Sequence, residues 1–476
     1  MFIIHATSIY AGIGRSTKCL SIRKINFSVS PLVYSRNNPV RCIFSTSHTT
    51  RTSQCTCVHS NLVTDPQIRR RSEVRALARL ALDEIGSAAA GIGSIHRAVS
   101  DRVFAGAQLG VGAHVLPAKV LHDEISGAVY ALVADTARLG GSVAGRFLDL
   151  PSTENVPPSQ TRRGARVIAA IQGLIGDVLE SDGSVLAEPL AIRVDGAALP
   201  PDESTLADAF PRAHPRIVVF LHGLVETEDA WSLGGRPTYG ERLETDLACT
   251  ALQIRYNSGR HISDNGRSLS DLLDTVTEHW PVEVESIALV GHSMGGLVAR
   301  SACRIAFLDD RPWVRRVRQV VSLGSPHLGA PLEQAVHYAS AGLAALPETR
   351  AISGLLRRRS AGIRDLNQGS LVDEDWRGRD PDALRAAAVS EVPLLDGVTY
   401  CFVSATVTRS PRHPLGRLLG DGMVLVPSAS GRNRTRMIGF RNEDGMHLGS
   451  ANHFTMLNHE SVYEKLLEWL GAPEAG

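Results

Sequence analysis

Ser286-Ile-Ala-Leu-Val-Gly-His-Ser-Met-Gly-Gly-Leu-Val-Ala-Arg300 is the stretch that decides the fold. Ile287–Val290 is an apolar run of strand length. Leu297, Val298, Ser301, Ala302, Ile305 and Leu308 then recur at helical spacing along one face. A strand that turns straight into a helix brings its backbone very close to itself at the turn. Small residues are therefore needed two positions before and two after the apex. Gly291 and Gly295 supply them around Ser293, and in such a turn the serine hydroxyl projects above the sheet as a nucleophile.

Outward from this turn, short apolar runs alternate with helix-period segments. The runs are Arg216–Leu221, Ala251–Tyr256, Ser286–Val290, Val317–Leu323 and Val398–Val403; Leu269–Glu278 and Leu297–Leu308 are among the helical segments between them. Strands separated by helices imply a mostly parallel sheet covered on both faces, an α/β architecture. Residues 331–395 interrupt the alternation with a polar, helical stretch rich in arginine (Arg357-Arg-Arg359), placed where a lid insertion would cover a site. The α/β region is thus expected over 213–476, with residues 151–212 as a linker (Pro151 to Ser159), a helix (Arg166–Leu179) and a strand pair around Ala191–Val194. Residues 65–150 read as a helical N-terminal region. Its Gly-rich run from Gly86 to Leu148 suits packing on the next domain, with peripheral contact at a membrane surface as the rival reading.

A serine is a weak nucleophile and needs an imidazole base that is itself oriented by a carboxylate. With a nucleophile on a strand-to-helix turn, the chain order is serine, then acid, then histidine. The base belongs just before the last helix, Ser461–Leu470, upstream of which stand His447, His453 and His459. His459 sits at the helix entrance, where capping explains it. His453 lies in Ser450-Ala-Asn-His-Phe-Thr-Met-Leu457, a polar loop with an apolar anchor, and is the chosen base. Asp396, Asp421 and Asp444 all satisfy the order. Asp421 lies between Gly420 and Gly422 ahead of an apolar run, where an acid is fixed rather than solvated, and it is the chosen acid. The oxyanion needs two backbone donors. Met294, directly after the nucleophile, offers one amide, and Leu224, in the loop Leu221-His-Gly-Leu224 after an early strand, offers the other. His222 and His292 read as structural hydrogen-bonding residues.

The 476 residues carry a formal net charge of +1, which averages two unlike parts. Residues 1–64 hold seven basic residues and no Asp or Glu, so the remainder carries −6. A mildly acidic body argues against a nucleic-acid-binding protein, whose footprint is a clustered basic face. The leader is also rich in Ser and Thr. That composition suits a transit peptide, and the abrupt change in residue usage suits equally a start placed upstream of the true one. A cytoplasmic location is the simpler expectation, mitochondrial if the leader is a working transit peptide. Four of the seven cysteines fall in the leader; Cys249, Cys303 and Cys401 are too scattered for a disulfide framework. The most apolar stretch, Val103–Leu121, is interrupted by Gln108, His114, Pro117 and Lys119, so a spanning helix is not expected.

Residues from about 213 to 470 resemble the lipase-like α/β-hydrolases, especially the bacterial group with a domain like the GPI inositol-deacylase. The resemblance is carried by Leu221-His-Gly-Leu224, Gly291-His-Ser-Met-Gly-Gly296, Ser322-Leu-Gly-Ser-Pro-His-Leu-Gly-Ala-Pro331, Gly420-Asp-Gly-Met-Val424 and Asn452-His-Phe454. It implies the α/β-hydrolase fold, Ser293, Asp421 and His453 as the triad, and hydrolysis of lipid-like esters without metal or organic cofactor. Arg255-Tyr-Asn-Ser-Gly-Arg-His-Ile-Ser-Asp-Asn-Gly266 is similar to a loop of the same group near the mouth of the site, read here as setting loop geometry, with substrate contact as the rival reading. The rival functions are acyl transfer through the same triad and lipid binding without turnover.

Overall fold

The structure is a computed structural model. It describes residues 65–80, 156–330, 359–379 and 389–471, together with two short strands near the N-terminus. The chain divides into two units, Met1–Asp65 and Pro66–Gly476. In the first, β1 (Val33–Ser35) and β2 (Asn38–Val40) pair antiparallel, with Val33 opposite Val40.

The second unit is built on one sheet. Its strands are β3 (Ala191–Val194), β4 (Ala197–Leu199), β5 (Arg216–Leu221), β6 (Thr250–Arg255), β7 (Ser286–His292), β8 (Val317–Leu323), β9 (Thr399–Thr406) and β10 (Gly445–Gly449). They lie in the order β10-β9-β8-β7-β5-β6-β3-β4. The six from β10 to β6 run parallel, and β3 joins β6 antiparallel, with β4 antiparallel to it. The strand pair read at 191–194 therefore extends the sheet, although it precedes the compositional change at Pro215.

Successive side chains of a strand point to opposite faces, and β5 shows why its run Ile217–Leu221 carries no polar residue. Ile217, Val219 and Leu221 enter one core cluster, with Leu269, Leu273, Val276, Leu297 and Val298 of the helices α5 (Ile262–His279) and α6 (Met294–Leu308). Val218 and Phe220 enter the other, with Tyr239 and Leu243 of α4 (Tyr239–Leu247) and Val462, Leu466 and Leu470 of α10 (Glu460–Gly471). The remaining α-helices among the described residues are α1 (Pro66–Leu80), α2 (Arg162–Ser181), α3 (Glu203–Ala209), α7 (Ala361–Gln368), α8 (Pro414–Leu419) and α9 (Val426–Ala429). This is the α/β-hydrolase fold. Among the described residues, no helix is long and apolar enough to cross a membrane.

From β5 the chain passes to β6 on one side and then crosses to β7 on the other. The carboxyl ends of β5 and β7 thus border the point where crossovers diverge, the usual place for a ligand in an open α/β sheet.

Buried charge ties α1 to the strand-pair edge. The Glu73 carboxylate accepts from Ser159 N (2.9 Å) and Ser159 Oγ (2.7 Å) and pairs with Arg69. Arg69 also pairs with Glu188, which in turn faces Arg193 at 3.2 Å and Arg255 at 3.6 Å; Arg255 forks onto Glu228. Arg255 thus anchors the start of its loop to the strand-pair edge. Part of the expected insertion is anchored as well. Ser360 Oγ donates to Gly173 O (2.6 Å), Asp177 accepts from Ala361 N (2.9 Å), and Asp365 on α7 accepts from Ile262 N (2.8 Å). Residues 81–150 of the expected helical region, and 331–358 and 380–388 of the insertion, lie outside the described residues.

Candidate active site

The turn after β7 takes the shape its glycines require. Ser293 has φ 51° and ψ −118°, a left-handed conformation rare for a residue with a side chain. Such a conformation costs on the order of 1–3 kcal/mol and persists only where its surroundings hold it. A Cβ on Gly291 would sit 2.3 Å from the backbone of Gly295, and one on Gly295 2.3 Å from Leu221 O. The Ser293 amide is fixed by Leu323 O at 2.8 Å, across to β8.

Asp421 and His453 form a buried pair. His453 Nδ1 lies 2.7 Å from Asp421 Oδ2, while Asp421 Oδ1 accepts from the amides of Met423 (2.9 Å) and Val424 (2.7 Å). Gly420 (φ 59°) and Gly422 (φ 99°) permit the hairpin bend that points those amides at the carboxylate. With its Nδ1 hydrogen given to a carboxylate, the His453 ring keeps a lone pair on Nε2. Burial alone would lower the His453 pKa, but the Asp421 charge and hydrogen bond, with a smaller push from Glu226, hold it above the ordinary imidazole value.

The imidazole lies beside the serine turn. A Cβ placed on Gly324, the residue after Leu323, would be 3.2 Å from His453 Cε1. His292 contacts His453 O through Nε2 at 3.1 Å, with ring centroids 4.7 Å apart. His453 itself opens a turn capped by Asn452, whose Oδ1 accepts from Phe454 N and Thr455 N, both at 3.0 Å. The structure thus gathers Ser293, Asp421 and His453 at one end of the sheet.

The expected oxyanion donors border the same point. Met294 opens α6, where first-turn amides have no intrahelical acceptor. Leu224 lies between two anchored amides: Gly223 N donates to Glu226 Oε2 at 2.6 Å, and Val225 N, at a residue with φ 58°, to Ser258 Oγ at 3.2 Å.

The other candidates lie elsewhere. His447 is on β10, bonded to Ser404 Oγ (3.0 Å) and Thr406 Oγ1 (3.1 Å). His459 accepts from Ser461 N at 3.2 Å, a cap on α10. Asp444 is held by Arg441 at 2.7 Å, and Asp396 is exposed in the turn before β9. His222 stacks on Tyr256 with centroids 4.3 Å apart, and burial lowers its pKa to about 4, so it stays a neutral structural group. Glu226 was missed from the sequence. It stands three residues after Gly223 in an ordinary acidic loop, Glu226-Thr-Glu-Asp229, and nothing in that pattern singles it out.

Residues 250–376 match the family model described as the PGAP1-like alpha/beta domain, a stretch that contains the Ser293 turn. The chain has the α/β-hydrolase fold, and residues 250–376 are similar to this lipase-like family. No curated protein sequence matches the chain. The chain is similar to many solved structures, among them the following three. The propeptide form of a Bacillus licheniformis lipase is 18% identical, over 54% of this chain and 50% of that one, with a TM-score of 0.36. This chain therefore spans half the length of that Bacillus chain. The Staphylococcus hyicus lipase is 14% identical, over 54% of this chain and 94% of that one, with a TM-score of 0.31. A Pyrococcus furiosus esterase is 15% identical, over 55% and 83%, with a TM-score of 0.30.

Proposed function

We propose that this protein is a serine carboxylic-ester hydrolase that cleaves lipid-like or apolar esters through an acyl-enzyme. The observation that carries the reading is the buried His453–Asp421 pair, 2.7 Å between Nδ1 and Oδ2, beside a serine held at φ 51°. His453 Nε2 takes the Ser293 proton as Oγ attacks the acyl carbonyl. The charge that develops on the carbonyl oxygen is met by the Met294 and Leu224 amides. His453 then gives its proton to the leaving alcohol. Water, deprotonated by the same imidazole, releases the acid and restores Ser293. Asp421 holds the ring in this tautomer and stabilises its charged form. The preference for apolar esters rests on the match to a lipase-like family over residues 250–376.

The test is a series of nitrophenyl esters from acetyl to palmitoyl, run with wild type and Ser293→Ala. Wild-type turnover that rises with acyl length and disappears in the variant supports the proposal. Equal background rates for the two proteins overturn it, and turnover appearing only with an added alcohol acceptor replaces hydrolysis by acyl transfer.

A further inference from the structure

One carboxylate outside the Ser–His–Asp set touches both loops that frame the reaction. Glu226 is nearly buried, its side chain 10% exposed, and its Oε2 accepts from Gly223 N at 2.6 Å and faces His292 Nδ1 at 3.0 Å. The opposite ring nitrogen, His292 Nε2, faces His453 O at 3.1 Å. A carbonyl oxygen only accepts, so Nε2 carries a hydrogen. A second hydrogen lies between Nδ1 and Oε2, two atoms that would otherwise meet lone pair to lone pair. One continuous chain therefore runs from the Gly223 amide through Glu226 and His292 to the backbone of His453. His453 N in turn donates to Asp421 O at 3.0 Å. His292 is also the residue directly before Ser293.

We propose that Glu226 is a positioning residue for the reaction above: it locks the oxyanion loop to the loop that carries His453, with His292 as the link. The inference rests on the ester-hydrolase reading. Glu226 touches no reacting atom. Its effect is on where the Leu224 amide and the His453 ring stand when charge develops, and that sets kcat rather than ground-state binding. The space around the link is closed: a Cβ on Gly223 would come within 2.9 Å of Glu226 Oε2 and 3.1 Å of His292 Nδ1.

Glu226→Gln, of nearly the same shape, tests the chain. An amide oxygen at the Oε2 position keeps the Gly223 bond but removes the carboxylate charge that faces His292 Nδ1. With one ring hydrogen only, either the Glu226 side or the His453 side of the ring faces a bare acceptor. An amide nitrogen there meets the Gly223 N–H. With one ring hydrogen, no arrangement satisfies all three bonds. His292→Asn is the second variant, retaining a donor near the Nδ1 position and none at Nε2. Both are read by ester turnover and by the rate at which a fluorophosphonate labels Ser293, each corrected for the folded fraction.

We expect kcat and labelling rate to fall about 10–100-fold, the scale of a misplaced catalytic group or a weakened oxyanion donor, with KM within about twofold. A folded variant with wild-type kcat and labelling, or a loss confined to KM, overturns the proposal. So does failure of both variants to fold, which makes the pair a determinant of the fold. A wild type that is labelled but cleaves no ester refutes the hydrolase reading alone, since the labelling ratio still reports on Glu226.

Discussion

His453 and Asp421 are joined twice. The imidazole Nδ1 meets the carboxylate at 2.7 Å, and the His453 amide donates to the Asp421 carbonyl at 3.0 Å. The second bond fixes the distance between the two loops whatever the side chains do. Asp421→Asn should therefore leave the fold intact and act through the ring alone, by turning an amide toward Nδ1 and favouring the wrong tautomer. In serine proteases the equivalent change costs about 10⁴-fold in kcat. A loss of about 10³–10⁴-fold with little change in KM is expected from steady-state kinetics on a nitrophenyl ester.

The same pair sets the pH dependence. His453 acts as a base only when neutral, so kcat/KM falls as pH drops through its pKa. Burial lowers that pKa, but the Asp421 charge and hydrogen bond outweigh it, so the acid limb should lie above the ordinary imidazole value of 6.5. In Asp421→Asn the larger raising influence is removed while the burial and the smaller push from Glu226 remain, and the limb should move to lower pH. A pH–rate profile of the two proteins measures both positions.

Gly324 lies under the imidazole at φ 60°, and a Cβ there would meet Met456 Cε at 2.5 Å as well as the His453 ring. Gly324→Ala combines the cost of a left-handed conformation, about 1–2 kcal/mol, with a push on the base. A fall in kcat of about tenfold or more is expected, larger than the change in KM, with a lowered thermal midpoint.

Much of this site was legible in the residues. The Ser293 turn shows because two glycines and a strand-to-helix change of period coincide within a few positions. Asp421 shows because glycines flank it. The parallel strands show because burial on both faces removes polar residues from them, as in Ile217–Leu221. Glu226 was not legible, because its meaning comes from His292 and Gly223, which reach it through the fold rather than through spacing. For the same reason the strand pair at 191–199 does not announce that it extends the sheet: its partner, β6, lies more than 50 residues further on.

The buried charges at that edge carry a stability prediction. Arg255, nearly buried, pairs with Glu228 and faces Glu188. Arg255→Ala leaves Glu228 without its partner, while Glu188 keeps Arg69 and Arg193; removing one partner of a buried pair costs about 3–5 kcal/mol. A shift of the urea unfolding midpoint to lower concentration is expected. Activity should survive in the fraction that remains folded, because the contacts of Ser293, Asp421 and His453 do not include Arg255.

The central claim is that Ser293 becomes covalently acylated. The most direct measurement is to react the protein with a fluorophosphonate, and separately with a slowly turned-over nitrophenyl ester, and to locate the modified residue by peptide mass spectrometry. The account predicts both adducts on Ser293, with neither formed in Ser293→Ala and both slowed in Asp421→Asn. An adduct on another residue, or labelling of Ser293→Ala at the wild-type rate, would contradict it.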